Sequence, residues 1–184
     1  MAIKTFTTGE VLTASDTNTY LANSGWVYVT SVDFAGNTAT NIDGCFTSTY
    51  DTYQIVVNGY RAASGGYLYV QTRASAVTDT GTNYVYNESF GSANINETSW
   101  RLAYAYNTTD RTNTIITVYN PLSTATGTGV SCIYSARNGT AAFFTNLTSG
   151  QKQTQTADTG LRFTSSAGAV AMNGIVTIYG ARKA

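Results

Sequence analysis

The sequence predicts an all-β protein: an antiparallel two-sheet sandwich of the jelly-roll type, preceded by a short N-terminal helix. Three observations support this prediction. From Trp26 onward, large residues alternate with small or polar ones at a period of two, which is typical of strands. The alternating runs are short, roughly ten in number and about 8–14 residues apart, as in sandwiches and barrels. The sequence has neither a second helical pattern nor a long repeat, which argues against βαβ units, β-helices and propellers.

The helix is predicted in an N-terminal segment, residues 1–25, that differs from the β domain of residues 26–184. Thr13 has the position of an N-cap and Asp16 that of the third helical residue in a capping box, where both side chains satisfy free backbone amides. Gly25 lies where a left-handed helix terminator belongs. A helix of about ten residues is not stable alone in water, so it must pack on its own domain, on sister copies or on another protein. The candidate attachment residues are Thr13, Asp16, Tyr20 and Leu21.

The strand candidates follow in order along the rest of the chain. In the first well-defined one, Tyr53, Ile55 and Val57 share one face. The others are residues 67–70, 100–106, 114–119, 129–136, 141–147, 160–164 and 173–179. Pro121, the one proline, predicts a strand end just before it. The Asn-Gly pair at 138–139 predicts a tight hairpin turn.

Composition and charge exclude several functions. Ten basic residues balance ten acidic ones, and charged residues make up only 11% of the chain. Nucleic-acid binding needs clustered positive charge, so no nucleic-acid partner is expected. The sequence has no apolar run long enough to cross a membrane and no signal-peptide core after Met1, so membrane insertion is not expected either. A neutral, charge-poor surface tends to associate, which suits a permanent assembly; a soluble domain rich in Thr and Asn is the alternative.

The residues do not point to catalysis or to a cofactor. The chain has no His, the commonest general base and zinc nitrogen ligand. Glu88 and Glu97 could meet across a hairpin like the two carboxylates of a glycosidase, but their Asn-, Ser- and Thr-rich surroundings indicate solvated loops. Residues 79–83 offer oxygen ligands without the closing Glu of a calcium loop, and predict a turn. The chain is therefore not expected to be an enzyme or to bind a metal or cofactor.

The two cysteines leave two interpretations open. Cys45 and Cys132 form no CxxC motif and have no companion His, which excludes the usual zinc patterns. A disulfide across this span requires close Cα atoms. Two separate buried thiols, in a chain made in a reducing cytosol, is the favoured interpretation.

Tyrosine is the main candidate for binding, with 14 residues spread over the chain. An exposed ring stacks on sugars or fills protein interfaces, because it has a flat apolar face and a polar tip. A half-buried ring on a strand contributes only packing. The candidate ligand-binding surface is the set Tyr84, Tyr86, Asn87, Trp100 and Arg101, which we expect on loops.

Three segments resemble a known family. Residues 1–21, MAIKTFTTGEVLTASDTNTYL, resemble the start of many small bacteriophage virion proteins of the tail-fibre or minor structural protein type. Residues 46–53 and 174–180 fit the same group, so the likeness extends from end to end. The resemblance implies a homotrimeric virion protein, assembled in the host bacterial cytoplasm and attached to other phage structural proteins through its N-terminal segment. It brings no catalytic residues.

Two functions agree with both the residues and the resemblance. The first is a trimeric tail-fibre or receptor-binding module that adheres to a host-surface glycan through aromatic stacking and hydrogen bonds. It predicts exposed aromatics far from residues 1–25. The second is a capsid decoration protein that stabilises the head lattice by binding only the assembled state. It predicts contacts concentrated near that segment. The abundant tyrosine and the family labels favour the first.

Overall fold

The fold is known from a computed structural model, which describes residues 7–11, 13, 25–88, 93–106, 109, 111–137, 143–166 and 170–182. The described residues form thirteen strands and contain no helix. All of the strand pairs are antiparallel, in two sheets arranged as a sandwich. The predicted antiparallel all-β class is therefore confirmed. The predicted helix lies outside the described residues.

The strands are numbered in chain order. They are β1 (Trp26–Asp33), β2 (Ala39–Ile42), β3 (Tyr50–Ala62), β4 (Gly66–Ala74), β5 (Val77–Thr78), β6 (Tyr84–Glu88), β7 (Asn94–Glu97), β8 (Trp100–Ala105), β9 (Thr112–Tyr119), β10 (Gly129–Arg137), β11 (Phe143–Lys152), β12 (Gly160–Ser165) and β13 (Met172–Arg182).

The two sheets differ in size. The large sheet has eight strands in the order β1-β13-β3-β9-β10-β11-β6-β7. The small sheet has five, in the order β2-β12-β4-β5, with β8 also paired to β4. From β1 to β4 the chain passes from one sheet to the other at each connection, and β9, β12 and β13 alternate in the same way. Some neighbouring strands, such as β1 and β13 or β3 and β9, are therefore distant in sequence, whereas β9, β10 and β11 are consecutive.

The core lies between the sheets and is built by alternate residues of each strand. Tyr53, Ile55 and Val57 of β3 are fully buried, as their predicted common face requires. The polar tip of Tyr53 is satisfied, because its hydroxyl accepts the Thr47 backbone N–H at 2.6 Å and donates to the Thr47 carbonyl at 2.9 Å. A tyrosine of this kind serves packing, since its hydroxyl meets backbone and not solvent.

Two predictions about strand limits fare differently. The strand before Pro121 ends at Tyr119, as predicted. The segments around Glu88 and Glu97 are not the predicted loops but the strands β6 and β7. Their own sequence is a poor strand former, and pairing with β11, some 60 residues later in the chain, orders β6. The predicted turn at 138–139 lies outside the described residues.

Candidate functional site

The five residues of the predicted ligand-binding surface do come together, on strands and not on loops. Tyr84, Tyr86 and Asn87 belong to β6, and Trp100 and Arg101 to β8. The Tyr84 and Trp100 rings meet edge to face with centroids 5.0 Å apart. The Arg101 guanidinium lies 5.7 Å from the centroid of the Tyr86 ring. β6 and β8 thus contact each other through side chains, although they belong to different sheets.

Burial corrects the expectation that these aromatic rings are exposed. Tyr84 and Trp100 have no exposed surface and Tyr86 only 5%. The Tyr84 hydroxyl accepts the Thr72 backbone N–H at 3.0 Å and lies 3.2 Å from the Asp79 carbonyl, to which it donates. Burial raises the pKa of Tyr84, and it raises that of Tyr86 to about 12. In this structure the three rings fill the core and cannot stack on a ligand.

Arg101, the charged member of the predicted set, is held by Glu88. Its Nε donates to Glu88 Oε1 at 2.6 Å and its Nη2 to Oε2 at 3.0 Å, a bidentate ion pair. Its guanidinium also lies 4.3 Å above the centroid of the Tyr67 ring. Both carboxylate oxygens of Glu88, one of the two acids considered for glycoside hydrolysis, thus accept hydrogen bonds from one fixed cation.

A tyrosine face covers part of the outer side of the small sheet. It consists of Tyr67 and Tyr69 on β4 with Arg101 and Tyr104 on β8, which lie opposite each other as the pairs Tyr67–Tyr104 and Tyr69–Arg101. All four are half-buried. The Tyr67 ring lies parallel to Tyr69 at 6.5 Å and meets Tyr104 at 4.5 Å. Tyr106, 45% exposed, continues the contacts at 4.6 Å from Tyr104.

Part of this face has a signal in the sequence. Tyr67 and Tyr69 are two residues apart on β4, so both must point to the same side of that strand. Which side faces solvent depends on the register between β4 and β8. That register contains an irregularity at Leu68–Tyr69, which no local pattern indicates.

An uncharged face covers the outer side of the large sheet. We define it by three cross-strand rows that run from β1 to β11 and, in two rows, on to β6. The first, the aliphatic row, consists of Ser31, Thr177, Val56, Ile115, Ile133 and Leu147. The second row consists of Tyr28, Tyr179, Gln54, Thr117, Ser131, Ser149 and Asn87. The third row consists of Trp26, Ala181, Thr52, Tyr119, Gly129, Gln151 and Val85. None of these positions carries a charged residue. Ile115, Ile133 and Leu147 are 42%, 48% and 51% exposed, so the aliphatic row meets solvent.

The surroundings of this face are distinct from it. Asp33, Arg61 and Arg137 lie at the end of the strands beyond the aliphatic row. A cavity of about 400 Å³ opens beside that row and is lined by Val56, Asn58, Asn113, Thr114, Ile115, Ile133 and Ser135, together with Val57. The face therefore combines a broad uncharged area, an apolar recess beside the aliphatic row and a charged border beyond that row.

A largely buried ion network joins the end of β11 to the turn at residues 79–83 and to the segment before β12. Lys152 Nζ contacts Asp158 Oδ1 at 2.7 Å and Asp79 Oδ2 at 3.0 Å, and donates to Thr156 Oγ1 at 2.7 Å. Lys152 is 1% exposed and Asp158 has no exposed surface. Thr128 Oγ1 donates to the second Asp158 oxygen at 2.5 Å. Every charged atom of the pair therefore has a partner, which is the condition under which buried charge is tolerated.

Asp79 connects this network to the predicted turn of residues 79–83. Its Oδ1 accepts the Gly81 backbone N–H at 2.9 Å and a hydrogen bond from the Asn83 amide at 3.2 Å. Burial opposes ionisation of Asp79, but the Gly81 N–H, Lys152 and Asn83 outweigh it and lower the pKa of this carboxyl. Its oxygens serve the turn and the lysine.

The two cysteines are free and buried, in agreement with the favoured interpretation. Cys132 Sγ donates to the Leu102 carbonyl of β8 at 2.9 Å and lies 3.0 Å from Thr114 Oγ1. Burial raises the pKa of each thiol from 9.0 to about 12. Because the thiolate is the reactive form, neither cysteine has the properties of a nucleophile.

The native thiols are expected to resist alkylation at pH 8 and to react fully in guanidinium chloride. Since both folded pKa values exceed the unfolded one, the thiols contribute stability below about pH 9 that is lost as the pH rises toward 12. Iodoacetamide labelling followed by mass spectrometry, with thermal unfolding at pH 8, 9 and 10.5, measures both effects. Labelling of either cysteine in the folded protein at the rate of a free thiol would contradict the assignment.

Of the candidate attachment residues, Thr13 is described and exposed. Asp16, Tyr20 and Leu21 lie outside the described residues. Among the described residues ahead of β1, Glu10 accepts the Thr7 backbone N–H through Oε2 at 3.1 Å, while its own N–H donates to the Thr7 carbonyl at 3.0 Å. These two bonds close a local turn.

The described residues thus define an antiparallel β-sandwich protein with two outer faces of different chemistry. Within the described ranges, no group of three His, Cys, Asp or Glu side chains could hold a metal ion. A helix able to span a membrane is likewise not found in the part that the structure describes. No family model, curated protein or solved structure matches the chain.

Proposed function

We propose that the chain is a non-catalytic subunit of a bacteriophage particle: a homotrimeric tail-fibre or receptor-binding module attached through residues 1–25. The observation that most supports it is the uncharged face, where Ile115 and Ile133 are about half exposed in the middle of a wide sheet. A contiguous exposed apolar patch of this kind marks a surface that associates with another protein. The assignment of the chain to a virion is based on the resemblance of its sequence to phage structural proteins.

The strand order supports a jelly roll as the finer description of the fold. Without the inserted strands β5–β7, β10 and β11, eight strands remain. They form the sheets β1-β13-β3-β9 and β2-β12-β4-β8. If these eight strands are renumbered 1 to 8 in chain order, the two sheets have the orders 1-8-3-6 and 2-7-4-5. This is the arrangement of two interlocked Greek keys in a jelly roll. Jelly rolls are frequent in capsid proteins and lectins, so this topology suits a virion subunit that binds sugars.

The tyrosine face supports adhesion to a host-surface glycan. Tyr69 and Tyr104 are partly exposed on adjacent strands, next to the guanidinium of Arg101. Flat rings beside fixed hydrogen-bond donors form the kind of surface on which a sugar ring stacks. We therefore propose the tyrosine face as the ligand-binding surface, in place of the buried set around Tyr84 and Trp100.

Capsid decoration is the second candidate function. The breadth of the uncharged face favours it, because a lattice of capsid subunits offers an equally flat surface to cover. In that case the protein stabilises the assembled head by binding it and not its free subunits. Its attachment would then use the large sheet, and the tyrosine face would have no ligand.

Purified full-length protein is expected to block adsorption of its phage when incubated with host cells beforehand, because it occupies the receptor. The double variant Tyr69→Ala/Tyr104→Ala should need at least ten times more protein for the same block, whereas Phe143→Ala should match the unaltered protein. Phe143 is 82% exposed and lies outside both faces, so it controls for the loss of any exposed ring. The measurement is the count of unadsorbed phage.

Adsorption that is unchanged at saturating protein would count against receptor binding. The decoration hypothesis is tested on the same particles by comparing the heat resistance of virions assembled with and without the protein. Lower resistance without the protein, together with unchanged adsorption, would favour decoration. Absence of the chain from purified virions would remove both functions.

A further inference from the structure

The uncharged face has the dimensions of a subunit interface. Its three rows lie two residues apart along the strands and extend across as many as seven strands. With about 4.8 Å between strands and about 3.4 Å per residue, the face measures about 34 Å by 20 Å, or roughly 700 Å². A stable protein–protein interface buries about 800 Å² on each partner. One flat contact could therefore cover most of this face.

We propose, building on the homotrimer of the proposed function, that a second copy of this chain covers the uncharged face and that Ile115 and Ile133 form the apolar core of the contact. These two residues are directly opposite each other on β9 and β10, with Val56 and Leu147 beside them on the flanking strands. They form an apolar strip with the polar second row on one side and the Asn113–Ser135 pair on the other. This is the usual arrangement of an interface, with its apolar core inside a polar rim.

Charge favours a second copy over other occupants. A face with a net charge repels its own copy, whereas this face has none to oppose the approach. The complete chain is also neutral, with ten basic and ten acidic residues. A nucleic acid, an anionic membrane or a strongly charged protein would find no complementary charge here.

The polar positions favour the same occupant. Around the aliphatic row they are mainly hydroxyls and amides, among them Thr117, Ser131 and Gln54. Hydroxyl and carboxamide groups both donate and accept hydrogen bonds, so such a surface is complementary to another of its own composition. The Tyr119 hydroxyl already pairs with Ser131 Oγ at 3.2 Å within one copy. The cavity of about 400 Å³ beside Ile115 can receive an exposed aliphatic side chain from the neighbour.

Light scattering coupled to size exclusion tests the proposal on the full-length chain. The unaltered protein is expected to have a mass of about three times 19.6 kDa, that of the proposed homotrimer. Ile115→Lys/Ile133→Lys should weaken association at least tenfold and give the monomer mass at the same concentration, because burying two lysines without partners opposes contact. Val77→Lys/Ile95→Lys should stay assembled. Val77 and Ile95 are 70% and 61% exposed on β5 and β7, so this control adds the same charge outside the face.

A milder variant guards against misfolding. Ile115→Thr/Ile133→Thr keeps the β-branched shape and adds no charge, and should weaken association by a smaller factor with an unchanged circular dichroism spectrum. A monomeric unaltered protein at high concentration overturns the proposal, as does assembly that both Ile115/Ile133 variants leave intact. In the second case the self-assembling subunit of the proposed function survives with a different interface. Loss of assembly in the Val77/Ile95 control would also overturn the assignment to this face.

Discussion

Replacing Lys152 by Met is expected to destabilise the protein by about 3–5 kcal/mol, the usual loss when one partner of a buried ion pair is removed. The cause is Asp158, which has no exposed surface and whose Oδ1 lies 2.7 Å from Lys152 Nζ. Without the ammonium group, a carboxylate would remain in the core with only the Thr128 hydroxyl as partner. Urea unfolding followed by circular dichroism measures the loss as a lower midpoint with an unchanged slope.

The double variant Lys152→Met/Asp158→Asn separates the stability lost to an unpaired buried charge from the stability lost to poorer packing. With both charges removed, the protein should recover a large part of the stability, since a neutral buried pair is far less costly than a single buried charge. Arg101→Met is the comparison at the surface: its partner Glu88 is 21% exposed and can be solvated, so we expect a loss of about 1 kcal/mol. If Lys152→Met cost no more than Arg101→Met, the network would not have the proposed role.

The importance of Lys152 illustrates what the sequence does not contain. The lysine lies in the polar stretch Gln151-Lys152-Gln153, which has no feature that suggests burial. It is buried because β11 ends between the Asp79 turn and the connection to β12, where three separate segments meet. Such a contact depends on the order of strands in the sheets, and that order is not encoded in any local pattern.

The fold class, by contrast, was largely predictable. The alternation of Tyr53, Ile55 and Val57 reports directly which side of β3 is buried, because side chains on a strand point to opposite faces in turn. Longer strands such as β3, β9 and β10 carry this signal over many residues. β6 and β7 are short, and their conformation depends on pairing: β6 pairs with the distant β11, and β7 pairs with β6. They were therefore missed.

The binding surface was harder to predict than the strands. Alternation along a strand shows which residues share a side of the strand. It does not show which side faces the core when both sides carry tyrosine. Tyr84 and Tyr86 proved to be core residues, while Tyr67 and Tyr69 lie on an outer face. The difference is set by the sheet that packs against each strand. A tyrosine count alone thus overstates the area available to a ligand.

Replacing Trp100 by Ala is expected to cost about 3–5 kcal/mol, the range for deleting a large buried aromatic side chain. Trp100 has no exposed surface, and its ring meets Tyr84 at 5.0 Å. It also packs closely against β11, because a Cβ added at Gly150 would lie 3.1 Å from Trp100 Cδ1. The small residue at 150 and the large one at 100 thus fit each other. A cavity left by the ring cannot be closed without moving both strands.

Trp26 is the matched control, since the chain has only these two tryptophans. Trp26 is 43% exposed at the start of β1, and Trp26→Ala should change the stability of the monomer by about 0.5 kcal/mol or less. The single-tryptophan variants Trp26→Phe and Trp100→Phe isolate the fluorescence of each ring. In the Ile115→Lys/Ile133→Lys background, which is expected to be monomeric, acrylamide should quench Trp26 strongly and Trp100 weakly. Strong quenching of Trp100, together with a small loss of stability in Trp100→Ala, would contradict the burial of Trp100. It would support the exposed binding surface that the sequence predicted.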